Sequence, residues 1–292
     1  MAWRKQSLED NLFDLVVFAL SLVIFAIMAY PMWFVIIASI SDAQAVNAGE
    51  VWLWPARLSF YGYQRVFYNS RIWVGYRNTI FYTIVDAGLS LCFTMPAAYA
   101  LSRRDLVGRK AITLFLLFTV YFSGGMIPTY LAVRSYGLVN TIWALVIPFG
   151  VEWSHLIVSR AYFAANVPNE LMDAARVDGC SNTRFFLQIV LPLSKAIVAV
   201  IALYNVVEQW NSWMQYMIYV RDERLVPLQM VLRDILLIGG DVNAALDMEE
   251  ALWYAETMKY SLILVATLPV MCIYPFLQKH FTKGVMVGAI KG

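Results

Sequence analysis

The chain has 292 residues, of which 61% are hydrophobic and only 14% are charged, and its mean hydropathy is +0.62. Soluble domains carry roughly 25% charged residues, so this deficit indicates a protein of the lipid bilayer. The formal net charge of +2 is too small to indicate a nucleic-acid partner. Three scattered cysteines exclude a disulfide framework, and no Cys/His cluster indicates a metal site.

The first apolar run covers residues 12–40 and follows Arg4 and Lys5. The letters "AQA" at 43–45 resemble a signal-peptidase site. A cleavable signal, however, has an apolar region of about 7 to 15 residues, and this run is much longer. We therefore expect a retained first transmembrane helix.

Further apolar segments continue along the chain at helical length. A helix needs about 20 apolar residues to cross roughly 30 Å of hydrocarbon. Six segments meet this requirement, at residues 12–40, 78–101, 111–133, 142–164, 196–220 and 258–281. The sequence thus predicts an all-α polytopic membrane protein with six transmembrane helices.

The short polar loops predict the orientation of these spans. The loop 102–110, "SRRDLVGRK", has four basic residues, whereas 134–140, "RSYGLVN", has one. Basic residues concentrate on the cytoplasmic side, so we expect both termini in the cytoplasm of a bacterial inner membrane. The loop 165–195 then faces the cytoplasm, and the loops 41–77 and 221–257 face outward.

Motifs of catalysis are absent from the sequence. There is no G-x-x-x-x-G-K-[ST] loop, no H-E-x-x-H and no G-x-S-x-G, so the chain is not expected to be an enzyme or to carry its own ATPase site.

Ionisable residues do occur within or near the spans, at Asp86, Glu152, His155 and Glu208. One interpretation is the proton relay of an ion-coupled secondary transporter, built on Asp86, Glu152 and His155. The other is hydrogen bonding between helices, or the wall of a polar pathway. The second is favoured because no further carboxylate is spaced to complete a relay.

The polar stretch 165–195 contains clear helix signals. Pro168 suits a first turn, Glu170 and Asp173 suit the positive N-terminal end, and Gly179 suits a left-handed stop. Ser181 or Asn182 can cap a second helix. We expect a short helix, a glycine turn and another helix. The first helix has small alanines and acidic residues, which favours docking into a groove of a partner protein over lying on lipid.

This stretch resembles a signature of the permease subunits of ABC importers, E-A-A, three residues, G, nine residues, I-x-L-P. The spacing matches at Asp173, Ala174, Ala175, Gly179, Ile189, Leu191 and Pro192, with Asp in place of Glu. "NTIFYT", "AAYALSRRDLVGRK", "QWNSW" and "KGVMVGAIKG" are similar to the maltose-type carbohydrate permeases, and "SGGMIPTY" to their oligo- and polysaccharide branch. The resemblance is strongest to the second permease subunit of bacterial alginate importers, with pectin-fragment permeases close. Besides Asp173, a second departure is Ala196, where a proline is common.

The resemblance implies one transmembrane domain over 1–292, with a permease core at about 76–282, a coupling loop at 165–195 and a cytoplasmic tail at 282–292. It implies a heterodimer with a second permease subunit, a separate homodimeric ATPase that holds ATP and Mg, and a solute-binding protein that meets loop 221–257. No cofactor is implied for this chain itself. The residues implied to couple to the ATPase are Glu170, Asp173, Ala174, Ala175, Asp178, Gly179, Ile189, Leu191 and Pro192, with Gly284, Gly288, Lys291 and Gly292 in the tail.

The candidate substrate pathway lies around "QWNSWMQY", residues 209–216, which offers aromatic faces and hydrogen-bonding groups. Its candidate residues are Glu152, His155, Glu208, Trp210, Asn211 and Trp213. The outer loop carries Arg57, Arg65, Arg71 and Arg77, which suit an acidic, alginate-like saccharide, although arginines at an interface are also ordinary membrane anchors. A neutral oligosaccharide and a pectin fragment are the alternative substrates.

Overall fold

The protein consists of helices joined by irregular segments in the part of the chain that its computed structural model describes, residues 8–122, 124–238 and 255–273. Within these ranges the only strand-like feature is a single antiparallel bridge between Ser41 and Leu58. The predicted all-α fold class is confirmed.

The helices follow one another closely along the chain. Those in its first half are α1 (Leu8–Ser39), α2 (Ala43–Asn47), α3 (Tyr61–Tyr68), α4 (Ser70–Ser102), α5 (Arg109–Tyr121), α6 (Met126–Ser135) and α7 (Trp143–Val146). Those in its second half are α8 (Trp153–Asn166), α9 (Asn169–Val177), α10 (Asn182–Phe185), α11 (Leu191–Leu193), α12 (Lys195–Asn211), α13 (Met214–Tyr219), α14 (Leu228–Ile238) and α15 (Ala255–Ile273). A π-helix, Phe186–Val190, joins α10 to α11.

Three of these helices are long and apolar enough to cross a membrane on their own, namely α1, α4 and α15. Two further spans are possible as bent pairs: α5 with α6, bent by 113°, and Asn182–Leu193 with Lys195–Asn211, bent by 81°. The count of six spans stays a prediction.

Several predicted spans differ from the helices that form. The segment 111–133 is divided between α5, which ends at Tyr121, and α6, which begins after Gly125. The φ of +83° at Gly125 is not helical, so the two helices are not continuous. The segment 142–164 is divided by a 3-10 turn, Ile147–Phe149, that contains Pro148. The segment 196–220 is interrupted after Asn211, where Ser212 is extended.

The chain forms two compact units, the first of which comprises Met1–Asn69 and Leu232–Thr267. Its apolar core contains Ile37, Ala38, Val46 and Val51, packed against partly buried Tyr260. Two close approaches fix α15 in this unit. Ser261 Oγ donates a hydrogen bond to Ser39 O at 3.1 Å, and Gly62 lies directly against the Thr257 carbonyl.

The second unit comprises Ser70–Val231 and Leu268–Gly292, and α4 forms its centre, packed against α8 and α12. Near the end of α4, Tyr99 stacks on Phe186 at 5.2 Å between ring centroids and meets Phe163 edge-on at 5.9 Å. Further towards the start of α4, Tyr82 stacks on Tyr216 at 5.7 Å. Aromatic packing therefore fixes both halves of α4 against its neighbours.

Between these aromatic groups, α4 carries a buried polar face. Thr83, Asp86, Ser90 and Thr94 are all buried and recur every three or four residues, so they lie along one side of the helix. Each has a side-chain oxygen without a hydrogen-bond partner among the described residues. We refer to these four residues as the polar column.

Side chains of α4 also hold the segment 221–228, which contains a 3-10 turn at Glu223–Leu225 and leads into α14. Asn78 Nδ2 donates to the carbonyls of Arg224 and Val226 at 2.7 and 3.0 Å, and Tyr82 OH donates to Leu225 O at 2.9 Å. Thr79 Oγ1 accepts from Leu228 N at 2.9 Å. Side chains of α4 therefore satisfy backbone groups that this irregular segment does not pair with itself.

We expect Asn78→Ala to loosen this segment, because two carbonyls would lose their donor. An unsatisfied buried group costs about 1–3 kcal/mol, so opening should become roughly 5- to 150-fold more frequent. Trypsin cleavage after Arg221 and Arg224 measures this opening. Asn166→Ala is the matched control, since Asn166 bonds only to Tyr162 of its own helix among the described residues. Equal cleavage rates in both variants would contradict the prediction.

Candidate functional site

The predicted helix, glycine turn and helix are present in loop 165–195. Helix α9 follows Pro168, and Gly179 has a φ of +71°. Ser181 caps α10 by accepting from Arg184 N at 3.3 Å. Pro168 lies one position before the helix rather than inside its first turn. Asp173 lies beyond the first turn, so only Glu170 is placed at the positive helix end.

The two alanines of the signature lie on different sides of α9. Ala175 is 7% exposed and packs into an apolar cluster with Tyr99 and Phe163, whereas Ala174 is exposed. Asp173 and Asp178 are exposed as well. One face of α9 is thus anchored to the protein, and the other exposes small and acidic residues.

The apolar end of the signature lies in the same cluster. Ile189 and Leu191 are partly buried and pack against it, while Pro192 is exposed within α11. This is also where the chain bends by 81° before α12. These residues join the loop to the membrane-spanning part of the second unit.

Sequence reasoning missed an ionic cluster beside α9. Asp105 accepts hydrogen bonds from both Arg103 and Arg176, with Arg103 Nε to Oδ1 and Arg176 Nη2 to Oδ2 each at 2.8 Å. Arg103 Nη1 also donates to Asn182 Oδ1 at 3.1 Å. The basic loop 102–110 indicated orientation alone, and nothing in the sequence marked its aspartate.

This cluster shifts the acid-base properties of its members. The hydrogen bond from Arg103 is the main cause that holds the pKa of Asp105 well below its usual range, and Arg176 adds to it. The hydrogen bond to Asp105 likewise raises the pKa of Arg103. Both groups are therefore ionised at any physiological pH.

The candidate pathway residues lie in two neighbouring cavities of the second unit. The first, of about 590 Å³, is lined by Ser154, His155, Val158, Tyr204, Val207, Glu208, Asn211 and Ser212. His155 is 6% exposed and stacks on Tyr204, with 5.5 Å between ring centroids. Its Nδ1 has no hydrogen-bond partner within the described chain. The structure therefore brings His155, Glu208 and Asn211 together.

The second cavity, of about 480 Å³, shares Asn211 and Ser212 with the first and includes Trp213. Two other candidates do not line either cavity. Trp210 is buried at 4% exposed and packs edge-on against Tyr76, and Glu152 is an exposed residue that precedes α8. Because Glu152 precedes α8 and His155 lies on it, the two residues do not share a helix face.

No group of three or more His, Cys, Asp or Glu side chains that could hold a metal occurs in the described ranges. The predicted tail residues Gly284, Gly288, Lys291 and Gly292, and residues 239–254 of the predicted outer loop, lie outside those ranges.

Comparison with known proteins gives consistent matches. The family described as "Binding-protein-dependent transport system inner membrane component" matches residues 72–216. The polygalacturonan/rhamnogalacturonan transport system permease protein YtcP of Bacillus subtilis (strain 168) is 36% identical over 289 residues, covering 98% of this chain and 100% of that protein. The arabinooligosaccharides transport system permease protein AraQ of Halalkalibacterium halodurans is 27% identical, covering 91% and 92%.

A solved structure matches over nearly the whole length. A chain from the crystal structure of a bacterial ABC transporter involved in the import of the acidic polysaccharide alginate superposes with a TM-score of 0.88. It is 32% identical, and the match covers 96% of this chain and 100% of that one. The helical arrangement described above is thus that of a known transporter subunit.

Proposed function

Because the chain belongs to the family of binding-protein-dependent transport system inner membrane components, we propose that it carries an acidic oligo- or polysaccharide across the inner membrane. The observation that carries this proposal is its full-length similarity to two permeases of acidic polysaccharides, one for polygalacturonan and one for alginate. The coarser function, a permease subunit of an ABC sugar importer in the inner membrane, follows from the same relatives.

Such a subunit works with a second permease, an ATPase and a solute-binding protein. We place α9 in a cleft of a homodimeric ATPase that binds ATP and Mg, with the tail reaching the same ATPase and both termini cytoplasmic. The second permease is a different chain, so the pathway lies in a heterodimer. ATP binding would bring the two coupling helices together and open the cavity outward, and hydrolysis would reverse the movement. ATP shifts this equilibrium only by binding one state more tightly than the other.

The exposed face of α9 supports this docking role. Asp173, Ala174 and Asp178 are accessible, and the buried Ala175 gives the helix a fixed base. A docking helix needs an accessible face and a fixed base, because a helix that moves independently of the protein cannot transmit a displacement.

The first cavity supports a carbohydrate ligand. Tyr204 offers an aromatic face, and His155, Glu208 and Asn211 offer hydrogen-bonding groups, a combination that suits sugar rings and hydroxyls. Among the described residues that line it there is no Lys or Arg. The carboxylates of an acidic saccharide must therefore be neutralised by other residues or by the second permease.

The outer arginines support an acidic substrate less than their number suggests. Arg57 is paired with Glu50 at 2.9 Å, and Arg65 bonds to the hydroxyl of Tyr61. These two charges already have partners within the protein. The preference for an acidic saccharide thus rests on the relatives rather than on Arg57 and Arg65.

The decisive experiment uses the assembled importer with its second permease, ATPase and binding protein in liposomes. We expect oligoalginate or oligogalacturonate to stimulate ATP hydrolysis and uptake, and neutral maltodextrin to have no effect. Stimulation by the neutral sugar alone would overturn the acidic substrate. Uptake that persists without ATP and stops with a proton uncoupler would instead favour a secondary transporter.

We expect Tyr204→Ala to weaken saccharide transport, because the sugar and His155 both lose an aromatic surface. Aromatic contacts contribute about 0.5–1.5 kcal/mol, so the apparent KM for uptake should rise roughly 2- to 10-fold. Tyr204→Phe keeps the ring and serves as the matched control. An unchanged KM in the alanine variant would remove the first cavity from the pathway.

A further inference from the structure

We propose that Asp105 is a positioning residue that fixes the coupling loop to the cytoplasmic end of α4, so that movement of α9 reaches the membrane-spanning helices. This inference rests on the docking role proposed for α9. It assigns a transport function to the ionic cluster of Arg103, Asp105 and Arg176, which we term the latch.

The latch connects segments that are far apart in the chain. Asp105 is on the loop after α4 and Arg176 is on the last turn of α9, and their carboxylate and guanidinium groups meet at 2.8 Å. Arg103 holds the same carboxylate through both Nε and Nη2. A carboxylate bound by two guanidinium groups has a defined position and direction, because such charge-assisted hydrogen bonds are both strong and directional.

The latch also reaches the helix on the far side of the glycine turn. Arg103 Nη1 donates to Asn182 Oδ1 in α10, and the Arg103 guanidinium lies over the ring of Tyr99 at 5.9 Å. Asp105 and Arg103 together therefore hold α9 and α10, on either side of Gly179. Displacement of either helix would act directly on the end of α4.

Apolar packing alone would hold α9 less specifically. Leu171, Met172 and Ala175 contact the apolar cluster, and such contacts permit sliding and rotation more readily than directional hydrogen bonds. The latch restricts those movements, because Arg176 bonds to Asp105 while the neighbouring Ala175 is buried in the cluster. The buried alanine keeps α9 packed against the protein, and the arginine prevents the helix from rotating about its axis.

Solvent exposure is the main objection to an ionic latch. Exposed ion pairs contribute little because water and salt screen them. The Asp105 and Arg176 side chains are half-exposed, but the Arg103 side chain is only 16% exposed and contacts Asp105, Asn182 and Tyr99 at once. A network held by one largely buried arginine retains its geometry where an isolated surface pair would not.

The latch is permanent rather than pH-dependent. The titratable and charged groups around Asp105 are Arg103, Arg176 and Tyr99, with Asp173 near Arg176 at 3.9 Å. Because its pKa is lowered, Asp105 contributes stability above the ordinary pKa of aspartate, and this is lost only when the pH falls through its lowered value. Coupling should therefore not change between pH 5 and 8 through this group.

The test measures whether ATP still changes the pathway when the latch is removed. A cysteine replaces Ser212 in the first cavity, and Cys92, Cys180 and Cys272 are replaced by alanine. Thiol labelling of the assembled complex is then measured with and without ATP. This readout needs no sugar, so failure of the substrate assignment leaves it intact.

We expect the original sequence to show an ATP-dependent change in labelling rate. In Asp105→Ala and in Arg176→Gln, that change should fall about fivefold, which corresponds to about 1 kcal/mol, while the ATPase still co-purifies and hydrolyses ATP. The double variant should be no worse than the more affected single variant, since both remove the same contact.

Arg184→Gln is the control, because Arg184 bonds to Gln188 one turn along its own segment and not to the loop after α4. It should keep the full ATP response. If the Asp105→Ala complex does not assemble, the Arg176→Gln variant tests the proposal, since it leaves the contact between Arg103 and Asp105 in place. A full ATP response in that variant, or additive losses in the double variant, would overturn the proposal.

Discussion

Replacing Gly179 with valine is expected to weaken binding of the ATPase while leaving the subunit inserted in the membrane. Gly179 has a φ of +71°, which a β-branched residue resists. An added Cβ would meet no atom within 4 Å, so the effect comes from backbone strain rather than from a clash. The left-handed conformation costs a residue with a side chain about 1–2 kcal/mol. The equilibrium constant for forming the turn that docks should therefore fall roughly 5- to 30-fold. Co-purification of the ATPase at graded concentrations measures this loss.

The matched control is Gly179→Asn, because asparagine tolerates the left-handed region better than other residues with a side chain. The asparagine variant should retain most of the ATPase. If valine and asparagine bind the ATPase equally well, the turn is not required for docking. Membrane content of the subunit should be the same in both variants.

A second large effect is expected for Gly62→Ala, which should destabilise the first unit. The new Cβ would lie 2.5 Å from the Thr257 carbonyl oxygen and 2.5 Å from Ser261 Oγ. The carbonyl belongs to the backbone of α15, so α3 and α15 would have to separate. Overpacking of this kind costs about 1–3 kcal/mol. The measurement is the midpoint of thermal unfolding of the purified complex in detergent, which should fall.

Gly88→Ala provides the control for this substitution. Gly88 is also helical, but an added Cβ there meets nothing within 4 Å. Alanine in a helix is favoured over glycine by about 1 kcal/mol, so this variant should be as stable as the original or slightly more so. A Gly62→Ala complex with an unchanged midpoint would contradict the observed approach of α3 to α15.

The helical class and the local structure of the coupling loop were predictable because their signals are local. Apolar runs mark the bilayer, and Gly179 and Ser181 mark a turn and a cap within a few residues. The divided spans were not predictable in the same way. The runs 111–133 and 196–220 are apolar on average, although "SGG" at 123–125 and "EQWNS" at 208–212 lie at their breaks. The mean hydropathy of a whole run therefore does not show that its helix is interrupted near Gly125 or Ser212.

The candidate site was predicted only in part, because some of its features have local sequence signals and others depend on tertiary packing. The signature placed α9, but its spacing could not show that Ala174 is exposed and Ala175 is buried. Nor could it pair Asp105 with Arg176, because only the packing of α9 beside the end of α4 brings them together. The grouping of His155 with Glu208 likewise depends on α8 and α12 meeting at one cavity.

The polar column of α4 has a consequence for how the protein is made. A helix that enters lipid alone with Asp86, Ser90 and Thr94 on one side exposes groups that hydrocarbon cannot hydrate, and a charged carboxylate adds at least about 2.5 kcal/mol. The neighbours that bury this face, α8 and α12, are synthesised later. Helix α4 must therefore remain at the insertion machinery or in contact with water until α12 emerges, so the membrane insertion of the second unit is a concerted event.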